Sequence, residues 1–297
     1  MNDIIYEIQS KIKSKILLNY EMRKSTWFRT GGKALGFVIV NNLKDLKTIT
    51  SYVDKIKYYI IGVGSNLLVR DSGYDGLIIK LGKNFNNIKI KDNILSVGAG
   101  VLDINLAKFA AKNSIKGFEF FIGIPGTIGG AVKMNAGCYG SQTSDNLKRI
   151  LILNSKGKLE YINLEKLKLK YRSSNIEEKS IILKADFIFE YSSYNEIINK
   201  NNLIKSKREK SQPIKEKTSG STFKNPKGKF AAELIEKSGC KQMKVGDASV
   251  SNVHANFIIN NGNATALDIE MLGKKIIKKV NDEFGITLEW EIIILGR

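Results

Sequence analysis

The chain has 297 residues, enough for two or three compact units, and its 42% apolar content can supply real cores. Its net charge of +19 invites a nucleic-acid reading, but only seven of its 48 basic residues are Arg and the lysines are scattered along the whole length. Base readers and phosphate clamps favour clustered Arg, so nucleic-acid binding is disfavoured. No apolar run approaches the ~20 residues of a membrane span. The opening Met1-Asn2-Asp3 lacks the basic start of a signal peptide, and two distant cysteines, Cys138 and Cys240, fit a reducing cytoplasm better than a disulfide framework. The expectation is a cytoplasmic protein.

Residues 43–56 place Leu43, Leu46, Ile49 and Val53 on one helical face. The apolar run 58–61 predicts a buried strand, and 76–80 predicts another. Residues 102–111 read as a helix with Leu102, Leu106, Phe109 and Ala110 on one side. Strands are expected at 150–153, 181–183 and 187–189. A polar stretch over 191–220 is the clearest composition shift and puts a domain boundary near 193. Beyond it come a short helix over 230–237 ended by Gly239, strands at 257–259 and 291–295, and a long helix over 265–284 stopped by Gly285. Strands and helices without strict alternation argue an α+β fold.

Residues 118–140 hold Gly123, Gly126, Gly129, Gly130, Gly137 and Gly140, with Pro125 at the turn. Glycines this close leave a run of backbone N–H groups uncovered, and such concave runs bind phosphates; the alternative is a tight-turned buried loop. Two further glycine turns, Arg29-Thr30-Gly31-Gly32 and Gly62-Val63-Gly64-Ser65-Asn66-Leu67, favour the phosphate reading. A P-loop is excluded because Gly130 is followed by Ala131-Val132, with no Lys-Ser/Thr. A Rossmann fingerprint fails because Gly62-Val63-Gly64 and Gly98-Ala99-Gly100 lack the third glycine. A dinucleotide here would be held by several separated loops, which points to a flavin.

Phe28-Arg29-Thr30-Gly31-Gly32, the turn from Gly62 to Leu68, Gly123-Ile124-Pro125-Gly126-Thr127-Ile128-Gly129-Gly130-Ala131-Val132 and Asn135-Ala136-Gly137 occur in that order. They are followed by Tyr171-Arg172-Ser173-Ser174, Gly220-Ser221-Thr222-Phe223-Lys224-Asn225-Pro226, His254-Ala255-Asn256-Phe257 and Leu288-Glu289-Trp290-Glu291. The ordered set resembles the UDP-N-acetylenolpyruvoylglucosamine reductase family of peptidoglycan precursor synthesis. The resemblance implies a two-part FAD-binding region of the vanillyl-alcohol-oxidase (PCMH) type, over 1–82 and 83–193, and a C-terminal α+β substrate-binding domain over 194–297. It implies noncovalent FAD, NADPH as reductant, and reduction of an enolpyruvyl ether on UDP-N-acetylglucosamine to the lactyl ether of UDP-N-acetylmuramate. A monomer is expected, with no nucleic-acid or membrane partner and no metal.

In that reaction the flavin gives hydride to the terminal vinyl carbon, and charge spreads onto the substrate carboxylate as an enolate. The protein must hold the flavin, stabilise that charge and deliver one proton. By the resemblance, Arg172 meets the carboxylate with its planar fork, Ser221 donates the proton and Glu291 is the third catalytic residue. Glu291 follows Trp290, where the family usually carries proline, and beside a substrate carboxylate it should be protonated or tightly paired. Flavin contacts are expected from Arg29, Gly31, Gly32, Gly62, Gly64, Ser65, Asn66, Gly123, Gly126, Thr127, Gly129, Gly130 and Asn135. The UDP-sugar is expected at Tyr139, Lys224, Asn225 and Arg208. His254, the single histidine, is either structural or a substrate-site polar group, and Cys138 is expected to be a small packed residue rather than a nucleophile.

Only 48 residues separate Arg172 from Ser221, too few for the substrate-covering tyrosine loop of the family's longer type, so the chain resembles the shorter one. Another FAD oxidase of the same superfamily would share residues 25–140 but has no reason to carry Ser221, Lys224-Asn225-Pro226 and Glu291. A basic nucleic-acid-binding module would be colourless.

Overall fold

A computed structural model describes residues 2–297. The chain forms two compact units. The first comprises the N-terminal residues through Leu18, Gly36–Gly62 and Gly76–Lys207; the second comprises Asn19–Leu35, Val63–Asp75 and Arg208–Arg297. These units do not coincide with a division at residues 82 and 193, because two early glycine-bearing segments group with the C-terminal residues.

The first unit is built on two sheets. One has the order Ile16–Glu21, Lys33–Val40, Tyr74–Leu81, Lys57–Ile61. Its strand Lys57–Ile61 runs parallel to Tyr74–Leu81, with Tyr59 opposite Ile78. This strand was expected to be buried, yet it is the sheet's edge and only Ile61 is fully inside; the buried run is Leu77-Ile78-Ile79 on its neighbour. The second sheet is antiparallel, in the order Leu159–Asn163, Leu147–Leu153, Ile181–Ile188, Ile94–Gly98, Ile88–Lys91.

The separate strands expected at 181–183 and 187–189 form one strand, Ile181–Ile188. Lys184 and Asp186 interrupt its apolar pattern, but Asp186 is paired inside the sheet. Its carboxylate accepts from Arg149 at 2.8 Å and Ser96 at 2.7 Å, and it meets Lys184 at 3.1 Å. Burial opposes the charge, and these partners outweigh burial to hold the carboxyl below its usual range.

Two helices shift from their expected faces. The first stops at Thr50 and spans Leu43–Thr50, with Asn42 accepting from the Asp45 amide at 2.8 Å as its cap. Tyr52 and Ile56, in the turn that follows, are buried in place of Val53. The second spans Asp103–Lys112 and buries Leu106, Ala107, Ala110 and Ala111; Leu102 is its exposed N-cap and Phe109 is half-buried.

The polar stretch after 193 forms a helix, Tyr194–Ser211, that the composition concealed. Ile197, Asn201 and Ile204 are its only buried residues, so the rest is a solvated lysine- and asparagine-rich surface.

In the second unit, Leu67–Val69 pairs in parallel with Ile293–Leu295. Lys244–Val245, Ala248–Val250 and Ile258–Asn260 make an antiparallel sheet. Helices Ala231–Lys237 and Ala266–Phe284 complete its core, with Leu234, Ile235, Ile269, Leu272, Ile276 and Val280 buried. The long helix starts in a capping box, Thr265 accepting from the Asp268 amide at 3.0 Å and Asp268 from the Thr265 amide at 2.9 Å. Asp71 adds acceptors for the amides of Ala266 and Leu267, both at 2.9 Å. The helix ends at Gly285 in the left-handed region. Among the described residues no helix is long and apolar enough to cross a membrane.

Candidate active site

The predicted residues divide between the two units. Gly62, Gly123, Gly126, Thr127, Gly129, Gly130, Asn135, Tyr139 and Arg172 lie in the first; Arg29, Gly31, Gly32, Gly64, Ser65, Asn66, Arg208, Ser221, Lys224, Asn225, His254 and Glu291 lie in the second.

In the first unit, Thr127 brings two glycine loops together. A Cβ on Gly62 would meet the Thr127 hydroxyl at 2.5 Å, and one on Gly130 would lie 3.7 Å from it with no other atom nearby. The hydroxyl makes no capping hydrogen bond to the helix it precedes. A bare glycine surface beside a hydroxyl suits a phosphate-bearing cofactor. Gly126 has a different reason to be glycine: any side chain there would strike the Asp103 carboxyl. Asp103 is fully buried, neither of its oxygens has a partner among the described residues, and burial pushes its carboxyl well above the usual range.

Asn135 serves the loop itself. Its oxygen accepts from the Ser144 amide at 2.9 Å, and its nitrogen donates to Gln142 at 3.1 Å and the Lys170 carbonyl at 3.4 Å. Lys133, in the same motif, is turned away to the Ile176 carbonyl, and burial lowers its ammonium from the usual range. Cys138 donates to the Phe120 carbonyl at 3.3 Å, a packing role. Gly123 is enclosed by Ile204, Cys138 and Tyr139, each 3.1–3.3 Å from where its Cβ would be.

Arg172 sits at the tip of a hairpin closed by reciprocal bonds between Lys170 and Ser173, both 3.1 Å. Its guanidinium lies 4.9 Å from the Tyr171 ring centre, and one of its terminal nitrogens donates to the Gly137 carbonyl at 3.1 Å. Arg29, Asn135, Tyr139 and Arg172 all adopt positive φ, between 41° and 56°. Such backbone strain in non-glycine residues is held only where the surroundings over-determine it, and it gathers at functional sites.

In the second unit, the turn Gly64-Ser65-Asn66 and the C-terminal segment converge. Gly64 has φ 70°, and its carbonyl accepts from Trp27 at 3.0 Å. Gly31, at φ 123°, would place a Cβ 2.8 Å from the Val69 carbonyl oxygen. The Gly32 amide donates to Arg70 at 3.1 Å. Arg29 is exposed and Ser65 half-buried.

The motif from Gly220 to Asn225 pairs with residues 289–291. Lys224 donates to the Glu289 carbonyl at 2.8 Å, and the Glu291 amide donates to Thr222 at 2.9 Å. Ser221 and Glu291, both half-buried, therefore lie beside one hydrogen-bonded pair. Thr222 is fully buried and is the hub: its amide donates to Asn256 at 2.7 Å, and its hydroxyl accepts from Ile258 at 3.2 Å. The Asn256 side chain clasps Phe223 at both ends, accepting at 2.9 Å and donating at 2.8 Å.

The remaining substrate candidates are engaged within the protein. The Lys224 ammonium meets Glu289 at 3.1 Å, and the Asn225 oxygen accepts from Ala231 at 2.9 Å, capping a helix. Arg208 donates to Gln212 at 3.0 Å. His254 Nδ1 accepts from the Asn256 amide at 3.2 Å, its ring packs edge-on to Phe257, and burial lowers its basicity; these are the marks of its structural alternative. Thr222, Asn256 and Asp103 were not singled out from the sequence. The signal for Asn256 was present, since an Asn set between Ala255 and Phe257-Ile258-Ile259 must find buried partners.

Known proteins match along nearly the whole chain. A family profile described as UDP-N-acetylenolpyruvoylglucosamine reductase, C-terminal domain, matches residues 212–295, and an FAD binding domain profile matches residues 34–163. A UDP-N-acetylenolpyruvoylglucosamine reductase of Rickettsia conorii is 45% identical over 96% of this chain and 97% of its own. That of Rickettsia typhi is also 45% identical, with the same coverage. The crystal structure of the Thermus caldophilus reductase (MurB) superposes with a TM-score of 0.84 at 32% identity, covering 96% of this chain and 99% of that one.

Proposed function

We propose a division of labour among the residues of this chain, which belongs to the UDP-N-acetylenolpyruvoylglucosamine reductase family. It is an FAD-dependent reductase of peptidoglycan precursor synthesis, with a PCMH-type FAD-binding region and a C-terminal substrate-binding domain. The reaction adds a hydride and a proton across the vinyl group of the enolpyruvyl ether, with NADPH as the source of the hydride. When bound, FAD relays that hydride from NADPH to the terminal vinyl carbon.

The glycine turns and the Thr127 hydroxyl hold the cofactor. The Arg172 guanidinium binds the substrate carboxylate and stabilises the enolate charge that develops on it. The Ser221 hydroxyl gives its proton to the carbon that becomes the lactyl centre; an enolate is basic enough to take it. Glu291, as a neutral acid, donates a hydrogen bond to the same carboxylate. Lys224, Asn225 and Tyr139, with Arg208 and His254, serve the UDP-sugar. The functional division remains 1–82 and 83–193 for the cofactor and 194–297 for the substrate, and the enzyme works as a cytoplasmic monomer without nucleic-acid or membrane partners.

The observation that supports this reading is the hydrogen bond from the Glu291 amide to the carbonyl of Thr222, the residue that follows Ser221. The test is a visible spectrum. The protein purifies yellow, NADPH bleaches it, and the enolpyruvyl ether restores the colour. A colourless protein, a flavin that stays on the chain after acid denaturation, or a reduced flavin that ignores the enolpyruvyl ether would each defeat part of the assignment.

A further inference from the structure

Gly273 lies in the middle of the long helix Ala266–Phe284, where glycine is costly, and it is buried. A Cβ at this position would overlap the outer edge of the Trp290 indole, Cη2 first, with Cζ3 at 2.7 Å and Cζ2 at 2.8 Å. The indole thus occupies a slot that exists only because residue 273 has no side chain. The ring also meets Phe223, centroids 5.0 Å apart and tilted by 38°. Phe223 is 1% exposed, and its main chain is clasped by Asn256. The indole thus touches both the helix at Gly273 and the Phe223 ring.

Trp290 and Phe223 are directly opposed across the short antiparallel contact that also joins Glu291 to Thr222 and Lys224 to Glu289. Side chains alternate along such a segment, so an indole fixed inward turns its neighbours Glu289 and Glu291 outward. A slip of one residue would withdraw the indole from the slot and send Glu291 toward the core.

We infer that Trp290, seated on Gly273, is a positioning residue that pins the register of residues 289–291 and so fixes Glu291 against Thr222 beside Ser221. This rests on the proposed roles of Ser221 and Glu291.

The FAD-loaded enzyme tests it with Gly273→Ala, Trp290→Leu, Trp290→Phe and the double variant Gly273→Ala/Trp290→Leu. Flavin content, bleaching by NADPH and reoxidation by the enolpyruvyl ether are measured for each by absorbance and rapid mixing. Gly273→Ala and Trp290→Leu should each slow reoxidation by at least about tenfold, within the range that a displacement of about 1 Å produces. Flavin content and the rate of bleaching should stay within about twofold, because those steps need no proton from Ser221. In the double variant the added methyl meets no indole, so its rate should equal that of Trp290→Leu alone rather than the product of both losses. Trp290→Phe, which keeps a ring in the slot, should recover part of the rate. Multiplying losses, or bleaching and reoxidation falling together, would overturn the inference. If Gly273→Ala fails to fold, the two Trp290 variants decide: wild-type reoxidation in Trp290→Leu, or Trp290→Phe no better than Trp290→Leu, overturns it. A wild-type enzyme whose reduced flavin is not reoxidised by the enolpyruvyl ether would instead defeat the functional reading.

Discussion

The side-chain amide of Asn66 donates to the main-chain carbonyl of Glu291 at 3.0 Å, and the Asn66 carbonyl accepts from Ile293 at 3.0 Å. The second glycine turn is thereby bonded to the segment that carries Glu291. Asn66→Ala removes one donor and should cost about 0.5–1.5 kcal/mol in urea unfolding, the usual net worth of such a bond. Asn66→Asp should cost more, since an ionised oxygen would then face the Glu291 carbonyl. Equal stability of the two variants would show that this bond contributes little.

Ser221→Ala should separate the half-reactions. NADPH still bleaches the flavin at near wild-type rate, while reoxidation by the enolpyruvyl ether slows by at least ~10²-fold, the lower range for losing a general acid. Stopped-flow absorbance reads both steps. Equal slowing would indicate a folding or cofactor-site defect, and Ser221 would lose its role.

Arg172→Lys keeps the charge and loses the planar fork, including the geometry now spent on the Gly137 carbonyl and the Tyr171 face. The expected loss is ~2–4 kcal/mol of transition-state stabilisation, by analogy with removing one oxyanion donor. It should appear in the turnover of the substrate half-reaction. Wild-type turnover would remove Arg172 from the catalytic set.

Glu291→Gln should keep more activity than Glu291→Ala. An ionised Glu291 would oppose charge gathering on the substrate carboxylate, more so once water is expelled, so the proposed role calls for the neutral acid. Glutamine keeps a donor of the same length, whereas alanine leaves a hole. Rapid-kinetic reoxidation compares the two, and equal damage would end the neutral-donor role.

Glu270 links stability to pH. Arg70 hydrogen-bonds it through two nitrogens, at 2.9 and 3.1 Å, and Lys274 lies at 3.0 Å. The Arg70 hydrogen bonds outweigh burial and, with Lys274, hold the carboxyl below the usual glutamate range. A depressed carboxyl contributes stability that is present above its unfolded value and is lost as pH falls through the folded one. The stability gap between wild type and Glu270→Gln should therefore be widest near neutrality and shrink below about pH 4.5. A gap that holds constant down to pH 3 would contradict the coupling.

Strong periodicity and sharp stop signals were legible in the sequence. The long helix expected over 265–284 does end at Gly285 as read, while its Thr265–Asp268 capping box came to light only in the structure. The helix Tyr194–Ser211 was hidden because its three buried residues are spread over eighteen, so composition outweighed spacing. The strand Ile181–Ile188 was split because Asp186 looks like a break until Arg149 and Ser96 are seen beside it. At the candidate site, ordered motifs gave the residue types. They could not show that Asn135, Asn225 and His254 spend their side chains on the protein itself, because those partners are set by tertiary contacts. Trp290 was legible as a departure from the family pattern, but its match with Gly273 is written only in three dimensions.

The parallel pairing of Leu67–Val69 with Ile293–Leu295 sets an order of events during synthesis. A ribosome delivers the second glycine turn early, yet the strand that flanks it has no partner until residues 293–295 have been made. Arg70 likewise waits for the Leu295 carbonyl, which accepts its amide at 2.9 Å. Closing so long a loop is entropically slow, and an unpaired apolar strand invites wrong partners in the interval. Nascent chains stalled short of Ile293 should therefore hold this unit open to proteases and chaperones, and competence to retain a cofactor should arrive abruptly once residues 293–295 have been translated.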